Sequence, residues 1–306
     1  MPGNNLNYFR PLAGTFLAAC ISLVCACSGA NKSAPQAASQ GTRDLPAADS
    51  SSTQTSGATR EAPMSGAIHL PVLLLEGAVS EAALKAKPEA LAVTAGGPDD
   101  LPEGPAGFEV MSDGRLLVAD PLRNRIAIYD ASGTYKGEWQ VGFPVGSIAQ
   151  AGSDLFRLRS LDSDSERFFD SQGHEQTAPP SGSGAPQLTA RLNGPNGGTM
   201  EGRQTGGPLT ISFENGTMRL ISIQPLGSAP NGAVYVALEA TPGGDTISVR
   251  KQVREYAANG RQVAEVSDIP LTYDFPPTDE LKVRRGVLYQ LAPGKAEIRI
   301  NRWSLD

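Results

Sequence analysis

From about residue 67 to the end of the chain, apolar and polar positions alternate with a period of two, and helix-like spacing is scarce. A strand entered from a turn runs from Gly114 to Asp120. A second runs from Arg125 to Tyr129, and a turn follows at Asp130 to Gly133. The same unit returns at Asp154 to Arg159 with Arg167 to Gly173, at Ala233 to Leu238 with Val253 to Gly260, and at Gly286 to Leu291 with Glu297 to Trp303. Turn glycines Gly133 and Gly173 stand 40 residues apart, and Gly173 and Gly260 stand 87 apart, close to two such periods. A degenerate unit over Gln187 to Glu214 fills that interval, with Leu209 to Phe213 as its clearest strand. In the Asp-x-x-Gly turn, the Asp side chain can bond backbone and Gly accepts the positive φ that closes a hairpin.

Strand repeats of ~40–50 residues predict an all-β domain, a β-propeller of five or six blades, because one blade cannot bury both faces alone. Five units are counted when a strand at Leu70 to Leu75 serves as a clasp that completes the last blade. Six stays open, because residues 76–100 and 178–216 carry little pattern. A short helix fits Glu81 to Leu91.

The first 35 residues have a different pattern. Arg10 precedes an apolar run from Leu12 to Ala26, which ends at Cys27, and polar and small residues follow. This resembles a bacterial lipoprotein signal peptide: a basic start, an apolar stretch, then small residues at the cut. The resemblance implies cleavage before Cys27 and lipid on its sulfur. Leu17-Ala18-Ala19-Cys20 fits the processing motif as letters, but leaves a short apolar stretch ahead of it and apolar residues after it, so Cys27 is preferred over Cys20. A soluble secreted product is the rival. An uncleaved span would need ~20 apolar residues, more than this run supplies. Ser28, following Cys27, implies sorting to the outer membrane in a Gram-negative cell.

The chain thus divides into a signal peptide (1–26), a lipid-anchored flexible linker (27–66) and the propeller domain (67–306). The linker is rich in Ser, Ala, Thr, Gln and Pro, as at Ser50 to Gly57. Such composition buries too little apolar area to offset chain entropy. About 40 residues of this kind reach some 35 Å on average, at ~5–6 Å times the square root of their number.

All three cysteines lie in the leader, so the domain has neither disulfides nor thiolate ligands. Net charge is −6, and loss of residues 1–26 removes only Arg10, giving −7. With Lys and Arg scattered, a nucleic-acid partner is not expected.

Residues 101 to about 140 carry a second resemblance. Leu101 to Phe108, then Ser112-Asp113-Gly114 through Val118-Ala119-Asp120, then Asn124-Arg125-Ile126 through Asp130, are similar to an NHL repeat. Residues 145–175 follow in outline without the Val-Ala-Asp element. The resemblance implies propeller shape and says little of activity.

Candidate chemistry is sparse. His69 and His174 are the two histidines, too few for a histidine ring around zinc or iron. No Gly-x-Ser-x-Gly elbow is present. Asp162-Ser163-Asp164-Ser165-Glu166 alternates oxygen ligands as a calcium loop does, but Arg167 stands where Gly is required. It reads as an acidic inter-strand loop. Asp120, Asn124 and Asp170 can be offered as channel ligands, yet each has a turn role. Asn215-Gly216-Thr217 matches a glycosylation sequon by chance. Trp139, Trp303, Tyr129, Tyr235, Tyr256, Tyr273 and Tyr289 read as inter-blade packing. The Pro-rich loop Asp268 to Pro277 reads as a contact surface or a core cap.

No catalytic residue, cofactor or metal site is expected, and the one assigned position is lipid attachment at Cys27. The expected function is a lipid-anchored, non-catalytic binding or scaffold module of the cell envelope, with a protein or peptide partner. The alternative is a propeller hydrolase or lyase with a metal ion in the central channel.

Overall fold

The computed structural model describes residues 59–76, 81–97, 100–179, 188–204, 207–214, 216–242, 248–271 and 274–305. Cys20, Cys27, most of the linker, Tyr273 and Asn215 lie outside the described residues.

The chain enters through β1 (Arg60–Glu61), β2 (Met64–Leu70) and β3 (Val72–Leu75), followed by helix α1 (Glu81–Ala86) and β4 (Leu91–Thr94). Blade I is β5 (Phe108–Val110), β6 (Leu116–Asp120), β7 (Arg125–Tyr129) and β8 (Tyr135–Gln140). Blade II is β9 (Val145–Gly152), β10 (Leu155–Ser160), β11 (Glu166–Asp170) and β12 (Glu175–Gln176). Blade III has three strands, β13 (Leu188–Leu192), β14 (Gly197–Gln204) and β15 (Gly207–Glu214). Blade IV is β16 (Arg219–Ser228), β17 (Val234–Thr241), β18 (Arg250–Tyr256) and β19 (Gln262–Ile269). Blade V is β20 (Leu281–Arg284), β21 (Val287–Pro293) and β22 (Ile298–Ser304). Each blade is an antiparallel meander. The architecture is a five-bladed β-propeller, which settles the choice between five and six.

The N-terminal segment closes two blades. β2 pairs antiparallel with β22, from Met64 opposite Trp303 to Leu70 opposite Ile298, and completes blade V. β1 pairs parallel with β19 at the rim of blade IV. The clasp therefore precedes the expected strand at Leu70 to Leu75, and sheet pairing begins at Arg60, inside the stretch assigned to the linker. Pro71 explains the shift. It has no N–H for the ladder, so β2 stops before it. Its carbonyl instead accepts the Leu91 N–H at 2.8 Å, and β3 pairs parallel with β4 through the α1 crossover.

Alternation sets the core. Phe156 and Leu158 point inward from β10 while Arg157 and Arg159 point away. Four apolar clusters glue the blades. One joins V to I around Ile68, Leu91, Phe108, Tyr129 and Ile300. Others join I to II around Ile126, Trp139 and Phe156, IV to V around Tyr235, Val253 and Trp303, and III to IV around Met200, Phe213 and Tyr256. The aromatics pack between blades, as their strand positions predict. Among the described residues no apolar cluster, hydrogen bond or ion pair joins blade II to blade III.

Turn glycines dock the blades. Gly133, at the end of blade I's outer hairpin with φ +88°, sits against β2 of blade V: a Cβ there would come 2.8 Å from Ile68 Cγ2 and 2.9 Å from the His69 carbonyl. Gly173, φ +83°, sits against Trp139 of blade I at 2.3 Å by the same measure. Gly260, φ +80°, faces the Thr210 carbonyl of blade III at 3.9 Å. Each turn thus meets the outermost strand of the preceding blade. Blade III lacks a fourth strand and hence this turn.

Candidate binding cleft at the channel mouth

The axis is filled by charged side chains from the innermost strands. Glu109 of β5 is fully buried. One of its oxygens accepts the Val110 N–H at 2.8 Å, and the other accepts the Gln150 N–H at 3.3 Å and Arg284 Nη2 at 2.5 Å. Blades I, II and V meet at this one carboxylate. Lys282 donates to the Ile148 carbonyl at 2.9 Å and to Asp279 at 2.6 Å. Burial pushes the Asp279 carboxyl above its ordinary value, against the pull of Lys282. The strands approach so closely that a Cβ on Gly107 would lie 2.8 Å from the Gly146 carbonyl and 3.0 Å from Asp279 Cβ. Between blades IV and V, Lys251 pairs with Glu239 at 2.9 Å and with Glu280. Gln290 donates to Glu280 at 2.7 Å and accepts from Asn301 at 2.9 Å. Burial opposes the charge on Lys251, but the two carboxylates raise its pKa above the ordinary value.

These residues escaped the sequence reading. The available signal was a charge inside an apolar strand, as in Phe108-Glu109-Val110, or alternate Lys282 and Arg284.

The sequence candidates do not converge. Asp120 is buried at the end of β6, 2.9 Å from Arg125 Nε. Burial pushes its carboxyl up to about 6, with Arg125 opposing. Asn124 takes the left-handed conformation, φ 51°, after a 3-10 turn at Pro121–Arg123. Asp170 accepts the Gln172 and His174 N–H groups at 2.9 Å and caps its own hairpin. His69 and His174 are exposed, beside Glu297 at 2.9 Å and Asp170 at 3.2 Å. In the acidic loop, the Ser160 N–H reaches the Ser165 carbonyl at 3.0 Å, which closes a hairpin. Phe275, in the Pro-rich loop, is buried in the blade V–I core, so that part of the loop caps the core. Among the described residues no group of three or more His, Cys, Asp or Glu is placed to hold one metal ion.

One open cleft of about 640 Å³ lies where blade II leaves the axis. Its floor is the outward face of β9 and β10, with Ser147, Ala149, Arg157 and Arg159. The loop 160–164 forms one rim and Thr278 with Asp279 the other. Among the described residues none from blade III lines this face.

No family model matches the chain, and no curated protein matches it. Solved structures do. Virginiamycin B lyase from Staphylococcus aureus is similar at 10% identity and a TM-score of 0.35, over 66% of this chain and 95% of that one. A DUF4221 family member from Bacteroides vulgatus is similar at 10% identity and a TM-score of 0.31, over 79% and 97%. No residue role is carried from either to this chain.

Proposed function

We propose that this chain is a lipid-anchored, non-catalytic binding module of the cell envelope whose partner is a protein or peptide. The observation that carries this reading is the paired state of the buried charges on the innermost strands and between blades IV and V. Glu109, Asp279, Lys282, Arg284, Lys251 and Glu280 bond one another or the backbone. These buried groups are engaged with one another, and an open cleft lies beside them. The leader supplies the anchor: lipid on Cys27 and a polar spacer hold the domain near the outer membrane.

Intact mass of the protein purified from membranes tests the anchor. The expected mass is a chain starting at Cys27 plus a diacylglycerol and an acyl group, lost in Cys27→Ser. An unlipidated chain in the medium overturns the tethered reading. Dialysis against a chelator is expected to leave thermal stability unchanged, and a fall would favour the hydrolase or lyase with a channel metal.

A further inference from the structure

The blade II face in the cleft carries two guanidinium groups with donors to spare. Arg157 approaches Glu166 at 3.6 Å, beyond hydrogen-bond distance. Arg159 donates through Nη2 to Asp164 at 2.8 Å, and that Asp side chain is 97% exposed. The two arginine side chains are 49% and 55% exposed. Exposed pairs of this kind contribute little to stability and exchange readily for another anion. Asp279, the cleft's inner carboxylate, is occupied by Lys282. Arg157 and Arg159 stand two residues apart on one face of β10, so their Cα atoms are roughly 6.6 Å apart at ~3.3 Å per residue.

We infer that this cleft takes an extended acidic peptide segment, with carboxylates at alternate positions bound by Arg157 and Arg159. Alternate residues of an extended peptide share the same repeat, so Glu-x-Glu presents two carboxylates in register with the two forks. The first carboxylate displaces Asp164 from Arg159, and the second takes the unused donors of Arg157. The exposure of both arginine side chains gives the peptide its way in. This inference rests on the binding reading above and names the chemistry of the partner.

Fluorescence anisotropy of the full chain with a labelled Gly-Ser-Glu-Ser-Glu-Ser-Gly peptide tests it, beside an isomer with adjacent Glu residues and with inorganic phosphate as competitor. The alternating peptide is expected to bind about tenfold tighter than the isomer, the loss of one charge-assisted bond. Binding weakens with salt. Arg157→Gln with Arg159→Gln abolishes it. Arg115→Gln, which removes a surface arginine paired with Asp113 on blade I, leaves it intact. Arg157→Lys with Arg159→Lys keeps the charge without the fork and gives intermediate binding. Equal binding of the two peptides, equal loss in Arg115→Gln, or inorganic phosphate displacing the labelled peptide at lower concentration than the unlabelled peptide does overturns the site. Lipidated Cys27 with no peptide binding would sink this site alone, whereas peptide binding by an unlipidated, released chain would sink the anchor alone.

Discussion

Arg125 is the most heavily committed side chain of blade I. Buried at the start of β7, it donates to Asp120 at 2.9 Å, to the Pro88 and Ala90 carbonyls at 2.7 Å each, and to Glu138. Those carbonyls belong to the segment between α1 and β4, so one guanidinium pins the N-terminal insertion to the first blade. Tyr129 adds a bond to the Glu89 carbonyl at 2.7 Å. Asp120 keeps its proton up to about pH 6 in the fold, whereas an unfolded Asp releases it near 3.8. Between those values the folded state binds more protons. The stability from this group is therefore fully present below about pH 4 and is lost as pH rises through 6. An Asn at this position does not titrate. The stability deficit of Asp120→Asn is thus expected to be larger at pH 4 than at pH 7, by about 2–3 kcal/mol, as urea unfolding at both pH values would measure. A deficit that grows with pH would contradict it. The sequence already displays Asp120, Asn124 and Arg125 as a motif. What it hides is direction: an acid at a strand end is equally suited to a channel or to a buried arginine, and only the fold of residues 88–90 over blade I decides.

At the scale of elements, the recurring Asp-x-x-Gly turn has two jobs. Asp130 accepts the Ser132 and Thr134 N–H groups at 2.9 and 3.0 Å, and Asp170 does the same in blade II. The glycine that follows supplies the positive φ and also the clearance for the neighbouring blade. Gly114 has the first job alone, since a Cβ there meets only Ala131 Cβ at 3.6 Å. Gly114→Ala is expected to cost about 1 kcal/mol from backbone strain, and Gly173→Ala about 3 kcal/mol, because Trp139 must also move. Chemical denaturation of the two variants compares them, and equal costs would refute the docking role. Turn spacing and a count of five units were legible from period-two alternation and these glycines, whereas the full set of strands in each blade was not. The clasp was legible in kind but misplaced, because Val72 to Leu75 is the more apolar run while Pro71 and the β4 partner decide the pairing.

At the scale of the whole molecule, the walls between blades II and III set it apart from a sealed ring. On blade III, Thr189, Arg191, Thr210 and Ser212 are exposed. On blade II, Arg157 and Arg159 are. These walls are mainly polar, with Phe168 beside Arg157 as an apolar exception, so apolar burial at ~25 cal/mol per Å² resists their separation only weakly. Blade III has one apolar neighbour where blade I has two. Its amides in β13 to β15 are therefore expected to exchange with deuterium through a local opening. Those of β6 and β7 should exchange only on global unfolding. Uniform exchange across the blades would argue for a sealed ring. The composition of blade III gave partial notice, since its Gly-, Thr- and Ser-rich strands make it the degenerate repeat, but an open seam is a relation between two faces and no local pattern encodes it.

Among the described residues the apolar clusters run from II to I, to V, to IV, to III, so the blades are expected to respond as a linear array whose ends face each other. Coupling in such an array passes only between neighbours, and its outer units fray first. The order along the array is not the order along the chain. Arg60, paired with blade IV, donates to the Leu305 carbonyl after blade V, so the two ends of the folded domain meet where blades IV and V adjoin, in the interior of the array. The fraying ends are encoded mid-sequence. A lipid tether on the N-terminus would therefore pull on the best-supported unit, while the outer units stay free to open toward a partner.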